Sequence, residues 1–431
     1  MLVAIFILLL ALILLGIPVI LAIAAVAMIG IFNEPTLVNA LLPQKMFTKI
    51  DSFSLLAMPF FILAGSIMSR GGISRRLVEF AETAVGHLRG GLAHANVVAS
   101  MVFSGVSGSS TADSAAMGSI LIPSMKENGY KAGYAAAITA TSSTIGPIIP
   151  PSMTMIIYGS MAGVSIGGLF LGGVIPGILI GFGLMGMIYL QSFFPNFPEL
   201  RKRTGRFNLM RLVRSAGKVW VALLAPVIIL GGIITGVFTA TEAGVVTVIY
   251  ALITTTFVYH EMSWKVLREI VLDSAVTTAM VVGIISVAGA LGWLLSYLNF
   301  NQAVLELVTN ISTVPIVVLL VLLLVQLILT MFIESLAILI ILVPVAVYIA
   351  EIFGFDPYWF GILLVMATQI GATTPPVAVL LFVATSIAKC RYDETIRYAI
   401  PFVFTLVFVL LLVVAFPPLA SSIPNAFLGG N

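Results

Sequence analysis

Serine, threonine and glycine residues form compact polar groups inside long apolar stretches of this 431-residue chain. Hydroxyl and backbone carbonyl oxygens are hard ligands, and a sodium ion needs roughly five or six of them. Carbonyls become available to an ion where a membrane helix is interrupted. The polar groups therefore predict at least two sodium sites. The first is predicted from Ser107, Gly108, Ser109, Ser142, Ser143, Thr144 and Gly146, and the second from Thr368, Gly371, Thr373 and Thr374 with Glu334 and Ser335 nearby.

Small residues at these positions have a second explanation, because glycine and serine also allow membrane helices to approach closely. For each single residue, both explanations stay open. Asp113 and Glu334 lie in the same polar groups, and ionisable side chains inside membrane segments are usually functional. Either residue could instead cap the N-terminus of a following helix. Glu242 and Asp273 are interpreted as ordinary residues at span ends.

The elements that position these groups are predicted to be membrane helices. The chain is 60% hydrophobic and 9% charged, with a mean hydropathy of +1.18, whereas soluble domains carry about 25% charged residues. The alternation typical of membrane β-barrels is absent. Uncharged stretches of at least ~20 residues occur at Met1–Asn33, Ala132–Pro198, Val219–Thr241, Ser274–Leu305, Leu307–Ile333, Pro357–Ala388 and Tyr398–Asn431. We therefore expect an all-α, multi-pass membrane protein in contact with lipid.

Several other classes of protein are excluded at this stage. Leu2–Phe32 has no basic flank and no A-x-A cleavage site, so it is predicted to be a retained first span rather than a signal peptide. The single cysteine, Cys390, excludes an internal disulfide, and three histidines offer no zinc-ligand spacing. No organic cofactor and no nucleic-acid partner are expected.

An internal repeat divides the chain into two halves. A shift of 225 residues places Gly146 on Gly371 and Pro150–Pro151 on Pro375–Pro376. Self-similarity of this kind decides the architecture before any single motif does. Each half is predicted to contain an apolar segment, a glycine turn and a span broken by a double proline.

The apolar segment of each half is predicted to be a re-entrant helical hairpin. In Gly91–Met125, the polar run Ser104–Asp113 lies at the centre and leaves arms of roughly 15 apolar residues, which are short for two complete crossings. Thr313–Ala346 has Met331–Ser335 at the corresponding place. Irregular backbone at this depth must line a cavity or contact protein, so the two polar centres are candidate sites.

The distribution of Lys and Arg predicts that the two hairpins have opposite orientations. Basic residues accumulate on the cytoplasmic side of membrane proteins. They flank the first hairpin, and seven more lie in the loop 201–218, whereas the flanks of the second hairpin, Asn299–Ser312 and Glu351–Pro357, contain none. Lys45 and Lys49 are exceptions on the predicted outer side. Inverted repeats with discontinuous helices are typical of secondary transporters.

These features suggest a division of the chain into five segments. Residues 1–50 form an N-terminal span and outer loop, 51–194 the first repeat with hairpin 91–125, and 195–273 a basic cytoplasmic loop with linking spans. Residues 274–418 form the second repeat with hairpin 313–346, and 419–431 form a C-terminal tail.

Several ordered motifs resemble the large membrane subunit of tripartite ATP-independent periplasmic (TRAP) transporters, and the likeness covers nearly the whole chain. The motifs are PFFILAG at 59–65, GHLRGGLA at 86–93, FSGVSGSSTAD at 103–113, GPIIPPS at 146–152 and IGATTPPVA at 370–378. The resemblance implies a sodium-driven, elevator-type importer of organic acids in the bacterial inner membrane. Among the carboxylates of the family, sialic acid is the leading expectation, followed by C4-dicarboxylates and keto acids.

The resemblance also implies two protein partners. These are a small four-helix membrane subunit of the Q type and a soluble periplasmic substrate-binding protein of the P type. Because no four-helix extension precedes Met1, the small subunit is expected to be a separate polypeptide.

A carboxylate substrate would need a positively polarised site, yet no Lys or Arg lies in a predicted membrane-depth segment. Helix N-termini with free N–H groups, assisted by hydroxyls, are the available device. The residues predicted to bind substrate are Ser109, Ser110, Asp113, Ser152 and Thr154. Alternatively, Ser152 and Thr154 only satisfy backbone groups freed by Pro150–Pro151.

Three alternative functions agree with parts of the sequence. Gly105–Gly108 matches the GxSG pattern of rhomboid proteases, but a serine nucleophile needs a histidine nearby, and His87, His94 and His260 lie away from the polar centre. An ion channel would also use oxygen-lined constrictions, but paired hairpins in inverted repeats favour alternating access. A sodium/dicarboxylate carrier that works without a binding protein is the main alternative.

Overall fold

The computed structural model describes residues 2–34, 37–38, 40–201, 203, 205 and 208–428. Within these ranges the regular structure is helical, and eight segments are long and apolar enough to cross a membrane. The α-helices are α1 (Leu2–Leu14), α2 (Val19–Phe32), α3 (Leu41–Ile50), α4 (Ala57–Met68), α5 (Ser74–Val85), α6 (Gly91–Ser107), α7 (Ser110–Glu127), α8 (Ala132–Ser142), α9 (Met153–Ala162), α10 (Ile166–Gln191), α11 (Leu209–Ile234), α12 (Ala240–Ile253), α13 (Trp264–Tyr297), α14 (Phe300–Ile311), α15 (Pro315–Phe332), α16 (Ser335–Phe353), α17 (Pro357–Thr373), α18 (Val379–Ala388), α19 (Tyr392–Ala415) and α20 (Pro418–Leu428).

The N-terminal stretch is two helices rather than the single predicted span. Gly16 has a φ of +81°, and Pro18 has no N–H to donate within a helix. With 13 and 14 residues, α1 and α2 are each ~20 Å long, shorter than the ~30 Å hydrocarbon core. The predicted first span over Leu2–Phe32 is therefore not one continuous helix, because the break at Gly16 interrupts an apolar run that hydropathy treats as continuous.

Basic segments that are distant in sequence gather at one end of the helix bundle. The ion pairs that join helices at this end are Arg70–Asp273 (2.5 Å), Arg76–Glu261 (2.8 Å) and Lys218–Glu79 (2.7 Å). The backbone N–H of Gly205 also donates to the carbonyl of Gly86. Because basic residues accumulate on the cytoplasmic side, we interpret this end as the cytoplasmic end.

Helix α13 runs from the basic end to the opposite end, where it meets the two exceptional lysines. The Lys45 Nζ lies 4.9 Å from the centroid of the Trp293 ring, and the Lys49 side chain packs over Gly289. Both lysines belong to the surface helix α3, which lies along α13. Their aliphatic stems cover apolar surface while the ammonium groups reach towards water, which explains why they depart from the charge rule.

Two helical hairpins enter the bundle from opposite ends, as predicted. Hairpin 1 consists of α6 and α7, and the Lys126 Nζ at its base donates to the Ala388 carbonyl near Lys389 and Arg391. Hairpin 2 consists of α15 and α16, and its base contacts α14, which follows the far end of α13. Both tips line one cavity. Both hairpins therefore turn back at the same place inside the bundle, which confirms the predicted hairpin pair and its inverted arrangement.

Each hairpin is followed by a helix that breaks at a double proline. The first break separates α8, extended by a 3₁₀ turn at Ser143–Ile145, from α9, and the second separates α17 from α18. The Pro150–Pro151 and Pro375–Pro376 bonds are both cis. Proline cannot continue the helical hydrogen bonds, so polar backbone groups are freed in the interior of the protein.

The two halves share one hydrophobic core. Helix α18 of the second half packs against α7 and α8 of the first, and α19 also packs on α8. In this contact the fully buried Tyr134 ring makes edge contacts with Tyr398 and Phe402, and its hydroxyl donates to Gln191. The halves are therefore interlocked, and the segment boundaries at 50, 194, 273 and 418 stay predictions.

Candidate functional site

A small cavity, here named the tip cavity, lies where both hairpin tips meet both broken helices. Hairpin 1 contributes residues 108–111 and hairpin 2 contributes 334–336, while Thr154, Gln369 and residues 379–380 come from the broken helices. The cavity has a volume of about 70 Å³, well below the ~300 Å³ at which pockets for organic ligands begin. In this conformation it has room for ions or water only.

Four helix N-termini converge on the tip cavity. Its lining includes the first residues of α7 (Ser110), α9 (Met153), α16 (Ser335) and α18 (Val379). The first turn of a helix has free N–H groups and the positive end of the helix dipole. None of the described lining residues is Lys or Arg. Among these residues, backbone N–H groups at helix N-termini are therefore the available positively polarised groups.

The tip of hairpin 1 is a tight turn over the first double proline. Helix α6 ends at Ser107, and Gly108 follows with a φ of +62°. A Cβ atom on Gly108 would lie 2.4 Å from the Pro151 carbonyl oxygen, so this position requires glycine. The hydroxyl of Ser109 then caps α7 by accepting a hydrogen bond from the N–H of Ala112.

Asp113 lies in the first turn of α7, next to the hairpin tip, and the capping alternative is wrong. Ser109 occupies the N-cap of α7, because its backbone is extended and its side chain accepts the hydrogen bond from the first turn. The Asp113 side chain is fully buried, and neither carboxylate oxygen has a hydrogen-bond partner among the described residues. The neighbouring Ser114 hydroxyl is also buried and unpartnered. A buried charged group without a partner is costly, and it usually coordinates an ion or changes its protonation.

A polar network below this tip was missed by the sequence reasoning. The Asn96 amide donates to the Thr139 hydroxyl (2.7 Å) and accepts from the Ser142 hydroxyl (3.0 Å). Ser142 also lies 3.2 Å from the Ser100 hydroxyl. Ser142 is thus engaged in joining α6 to α8. Asn96 and Ser100 lie four residues apart on the apolar helix α6. This spacing puts both polar side chains on one face and could have indicated the network.

The remaining residues predicted for the first sodium site lie together beside the hairpin tip. The hydroxyls of Ser143 and Thr144 donate to carbonyls of their own helix, so their oxygens retain lone pairs that can ligate a cation. A Cβ on Gly146 would lie 3.3 Å from the Ser109 carbonyl carbon. The structure therefore brings the α8 end and the hairpin 1 tip into contact.

In the second half, two of the predicted residues are used for helix packing. The Thr368 hydroxyl accepts a hydrogen bond from the Gln326 amide (2.5 Å) and donates to the Leu364 carbonyl. A Cβ on Gly371 would lie 1.7 Å from the Thr330 hydroxyl. Here the close-packing explanation accounts for both residues, because α15 and α17 are in direct contact.

The other predicted residues of the second half lie near the tip cavity. The hydroxyls of Thr373 and Thr374 both donate to the Ile370 carbonyl, at 2.9 and 2.6 Å. Glu334 caps α16 by accepting from the N–H of Ala337 at 3.0 Å, and Ser335 follows in the cavity wall. The capping explanation therefore holds for Glu334, although its carboxylate also faces the cavity.

The residues predicted to bind substrate are only partly together. Ser109, Ser110 and Thr154 line the tip cavity. The Ser152 hydroxyl instead donates to the Pro147 carbonyl and accepts from the N–H of Met155. Ser152 therefore satisfies backbone groups freed by the double proline, which is the alternative explanation given above.

Gln369 and Thr111 are cavity residues that were not predicted. Gln369 is almost completely buried, lines the tip cavity and leaves its Oε1 without a partner in the described part of the chain. Thr111 also lines the cavity. An amide directly before the IGATTPP run was the signal for Gln369.

The donor set suits a hard monovalent cation better than a transition metal. In the described ranges, no three His, Cys, Asp or Glu side chains form a metal-binding group. Hydroxyls, carbonyls at helix ends and single carboxylates are the ligands that hard ions prefer. The Asp113 carboxylate, which has no hydrogen-bond partner in the described part of the chain, lies close to the hydroxyls of hairpin 1.

The geometry does not support a serine protease. His94 lies on the same helix as Ser107 and is separated from it by ~20 Å along the axis. A general base must instead lie within hydrogen-bond reach of the nucleophile.

Comparisons with known proteins agree with the architecture. Residues 5–419 match the family described as "Tripartite ATP-independent periplasmic transporter, DctM component". The chain is 38% identical to the sialic acid TRAP transporter large permease protein SiaM of Vibrio cholerae, with 90% of each chain covered. It is 37% identical to the C4-dicarboxylate TRAP transporter large permease protein DctM of Pseudomonas aeruginosa, with 88% of each covered.

A likeness in fold extends to a solved structure. The YdaH transporter of Alcanivorax borkumensis superposes with a TM-score of 0.61 over 87% of this chain and 88% of its own, at 14% sequence identity. This identity supports the fold alone. Because the family match covers nearly the whole chain, the protein is a transporter permease rather than an enzyme, and it belongs to the DctM component family of tripartite ATP-independent periplasmic transporters.

Proposed function

We infer that this chain is the translocating subunit of a sodium-coupled importer of an organic carboxylate in the bacterial inner membrane. The observation that carries the proposal is the convergence of four helix N-termini on one cavity whose described lining has no Lys or Arg. Backbone N–H groups there suit a carboxylate. Helices α6 and α8 end beside the same tip and suit a cation.

The balance of charge favours sodium. Asp113 is buried with no hydrogen-bond partner among the residues that the structure describes, and Glu334 lines the tip cavity. A substrate carboxylate would bring a further negative charge close to both. Bound sodium offsets this repulsion and couples the two binding events, because each ligand raises the affinity for the other.

Sialic acid is the leading candidate substrate, followed by a C4-dicarboxylate and then a keto acid. Two relatives of nearly equal identity, 38% and 37%, are named for sialic acid and for C4-dicarboxylates. The difference in sequence identity between these two relatives is therefore too small to separate the two acids strongly. All three classes contain the carboxylate that the helix N-termini would bind.

Transport is proposed to follow an elevator mechanism. The hairpins and broken helices would move together relative to α4 and α11–α13. Membership of the family implies a Q-type membrane subunit and a P-type periplasmic binding protein as partners. The exposed apolar faces of α11 and α13 would contact lipid or the small subunit.

Uptake by the reconstituted transporter tests this proposal. Proteoliposomes are loaded without sodium and supplied with radiolabelled N-acetylneuraminate, succinate or pyruvate outside, with an imposed sodium, potassium or proton gradient. We expect uptake of one acid with the sodium gradient only. Full uptake on a proton gradient in sodium-free buffer would contradict sodium coupling, and failure of every acid would contradict the substrate class.

The alternative is a sodium/dicarboxylate carrier that works alone, and omitting partners tests it. We expect uptake only when the binding protein and the small membrane subunit are both present. Saturable, sodium-driven succinate uptake by this chain alone would favour the alternative.

A further inference from the structure

A second cavity, here named the vestibule, connects the tip of hairpin 1 to the cytoplasmic end. Its walls are α4 and the turn after it (Gly65–Arg70), hairpin 1 (Ser107–Ala116), Met153 and Thr277 of α13. It shares Ser109, Thr111 and Met153 with the tip cavity. With a volume of about 560 Å³, it lies within the ~300–1,000 Å³ range of pockets for organic ligands.

Helix α4 forms a close-fitting wall against the tip of hairpin 1. A Cβ on Gly65 would lie 3.1 Å from the Val106 carbonyl oxygen and 3.2 Å from that of Ser107. Ser66 and Ser69 follow on the same wall. A molecule that leaves the tip cavity on this side therefore passes along α4 towards Arg70.

Arg70 is the only Lys or Arg among the described residues that line the vestibule. Its side chain is 46% exposed, and its guanidinium donates to the Asp273 carboxylate at 2.5 Å and lies 3.9 Å from the Glu269 carboxylate. Both acidic side chains are more than half exposed. Exposed ion pairs contribute little to stability and exchange partners readily.

We propose that Arg70 is a transient binding site for the substrate carboxylate in the vestibule, where the substrate competes with Asp273. This proposal rests on the carboxylate import inferred above. An arginine fork binds a carboxylate in two-point geometry, and the hydroxyls of Ser66, Ser69 and Thr277 lie in the same walls. A carboxylate that leaves the helix N-termini of the tip cavity would thus find a full positive charge before it reaches the cytoplasm.

Two substitutions with opposite expected effects test the proposal. In the complete transporter, Arg70→Gln removes the cation, whereas Asp273→Asn removes its competitor. We expect Arg70→Gln to raise the Kd for radiolabelled N-acetylneuraminate or succinate about fivefold, the scale of an exposed charge pair. Asp273→Asn should lower the Kd. Arg75→Gln, which removes an exposed charge from the same end outside the vestibule, should leave it unchanged.

A purely structural role for the ion pair predicts a different result. Both substitutions break the same Arg70–Asp273 contact, so they would then shift the Kd and the melting temperature in the same direction. That outcome, or an unchanged Kd in Arg70→Gln, would overturn the site while wild-type uptake still supports carboxylate import. If the wild-type transporter neither binds nor transports either acid, both proposals fail.

Discussion

The two hairpins have the same fold but use their acidic residues differently. In hairpin 1 a neutral residue, Ser109, caps the second arm, and the acid, Asp113, lies one turn deeper with no hydrogen-bond partner in the described ranges. In hairpin 2 the acid itself, Glu334, is the cap and accepts a backbone hydrogen bond. The N-cap of the second arm is therefore Ser109 in hairpin 1 and Glu334 in hairpin 2.

The two hairpins also differ in the hydrogen bonds that join their first arms to the broken helices. Each first arm has an amide that donates to a threonine on the following broken helix: Asn96 to Thr139 and Gln326 to Thr368. The Asn96 oxygen is also satisfied, by Ser142, whereas the Gln326 oxygen has no partner in the described ranges. The comparison teaches that an internal repeat conserves backbone geometry while the polar chemistry of each half diverges. We therefore expect the first half to dominate sodium binding.

The largest expected effect comes from removing the charge of Asp113. Asp113→Asn keeps the volume of the side chain and removes the countercharge for sodium, so we expect sodium-driven uptake to fall at least ~100-fold, as for loss of a buried ionic contact of about 3 kcal/mol. Expression should be retained, because Ser109 supplies the cap. The measurement is initial uptake in proteoliposomes, together with melting temperature at rising sodium concentration.

The same variant separates an ion-binding role from a folding role. A ligand that binds only the folded state raises stability with its concentration, so Asp113→Asn should lose the sodium-dependent rise in melting temperature. Wild-type uptake by Asp113→Asn, with poor expression of Asp113→Ala, would show that Asp113 serves folding alone.

A smaller difference is expected between the corresponding glycines of the two broken helices. In Gly371→Ala the new Cβ would overlap Thr330, and the nearest backbone atom, the Leu327 carbonyl oxygen, lies at 2.9 Å. We expect a loss of about 1–3 kcal/mol in the free energy of unfolding from overpacking. Gly146→Ala meets its nearest atoms at 3.2–3.3 Å and should cost less. Thermal unfolding in detergent measures both, and equal losses would contradict the different packing of the halves.

The smallest effect is expected at Glu334. A glutamine at this position can still accept the hydrogen bond from Ala337, so Glu334→Gln should change sodium affinity by only about fivefold or less, the scale of an exposed charge. Glu334→Ala should also lose about 1 kcal/mol of helix stability with the cap. Sodium titrations of uptake and melting temperature measure these effects. If Glu334→Gln abolishes uptake as Asp113→Asn does, the two acids have equivalent roles.

Local patterns in the sequence determined the class of fold and its symmetry. Apolar length predicts membrane helices, the double prolines predict broken helices, and the Lys/Arg distribution predicts opposite hairpin orientations. The matched motifs at 146–152 and 371–377 reveal the repeat. These features are readable because each depends on neighbouring residues or on a fixed shift along the chain. The break at Gly16 was missed because one positive-φ glycine leaves hydropathy almost unchanged.

Only the tertiary structure decided what each polar side chain contacts. Among the described residues, Asp113 has no hydrogen-bond partner and Ser152 has two, although both are polar residues in similar apolar surroundings along the sequence. Gln369 lines the same cavity as residues 108–111, although more than 250 positions separate them in the sequence. Arg70 forms an ion pair with Asp273, which is 203 positions away in the sequence. Hydrogen-bond partners and cavities depend on distances between helices that are remote in the chain. Local composition does not encode those distances, because they follow from how the whole bundle packs.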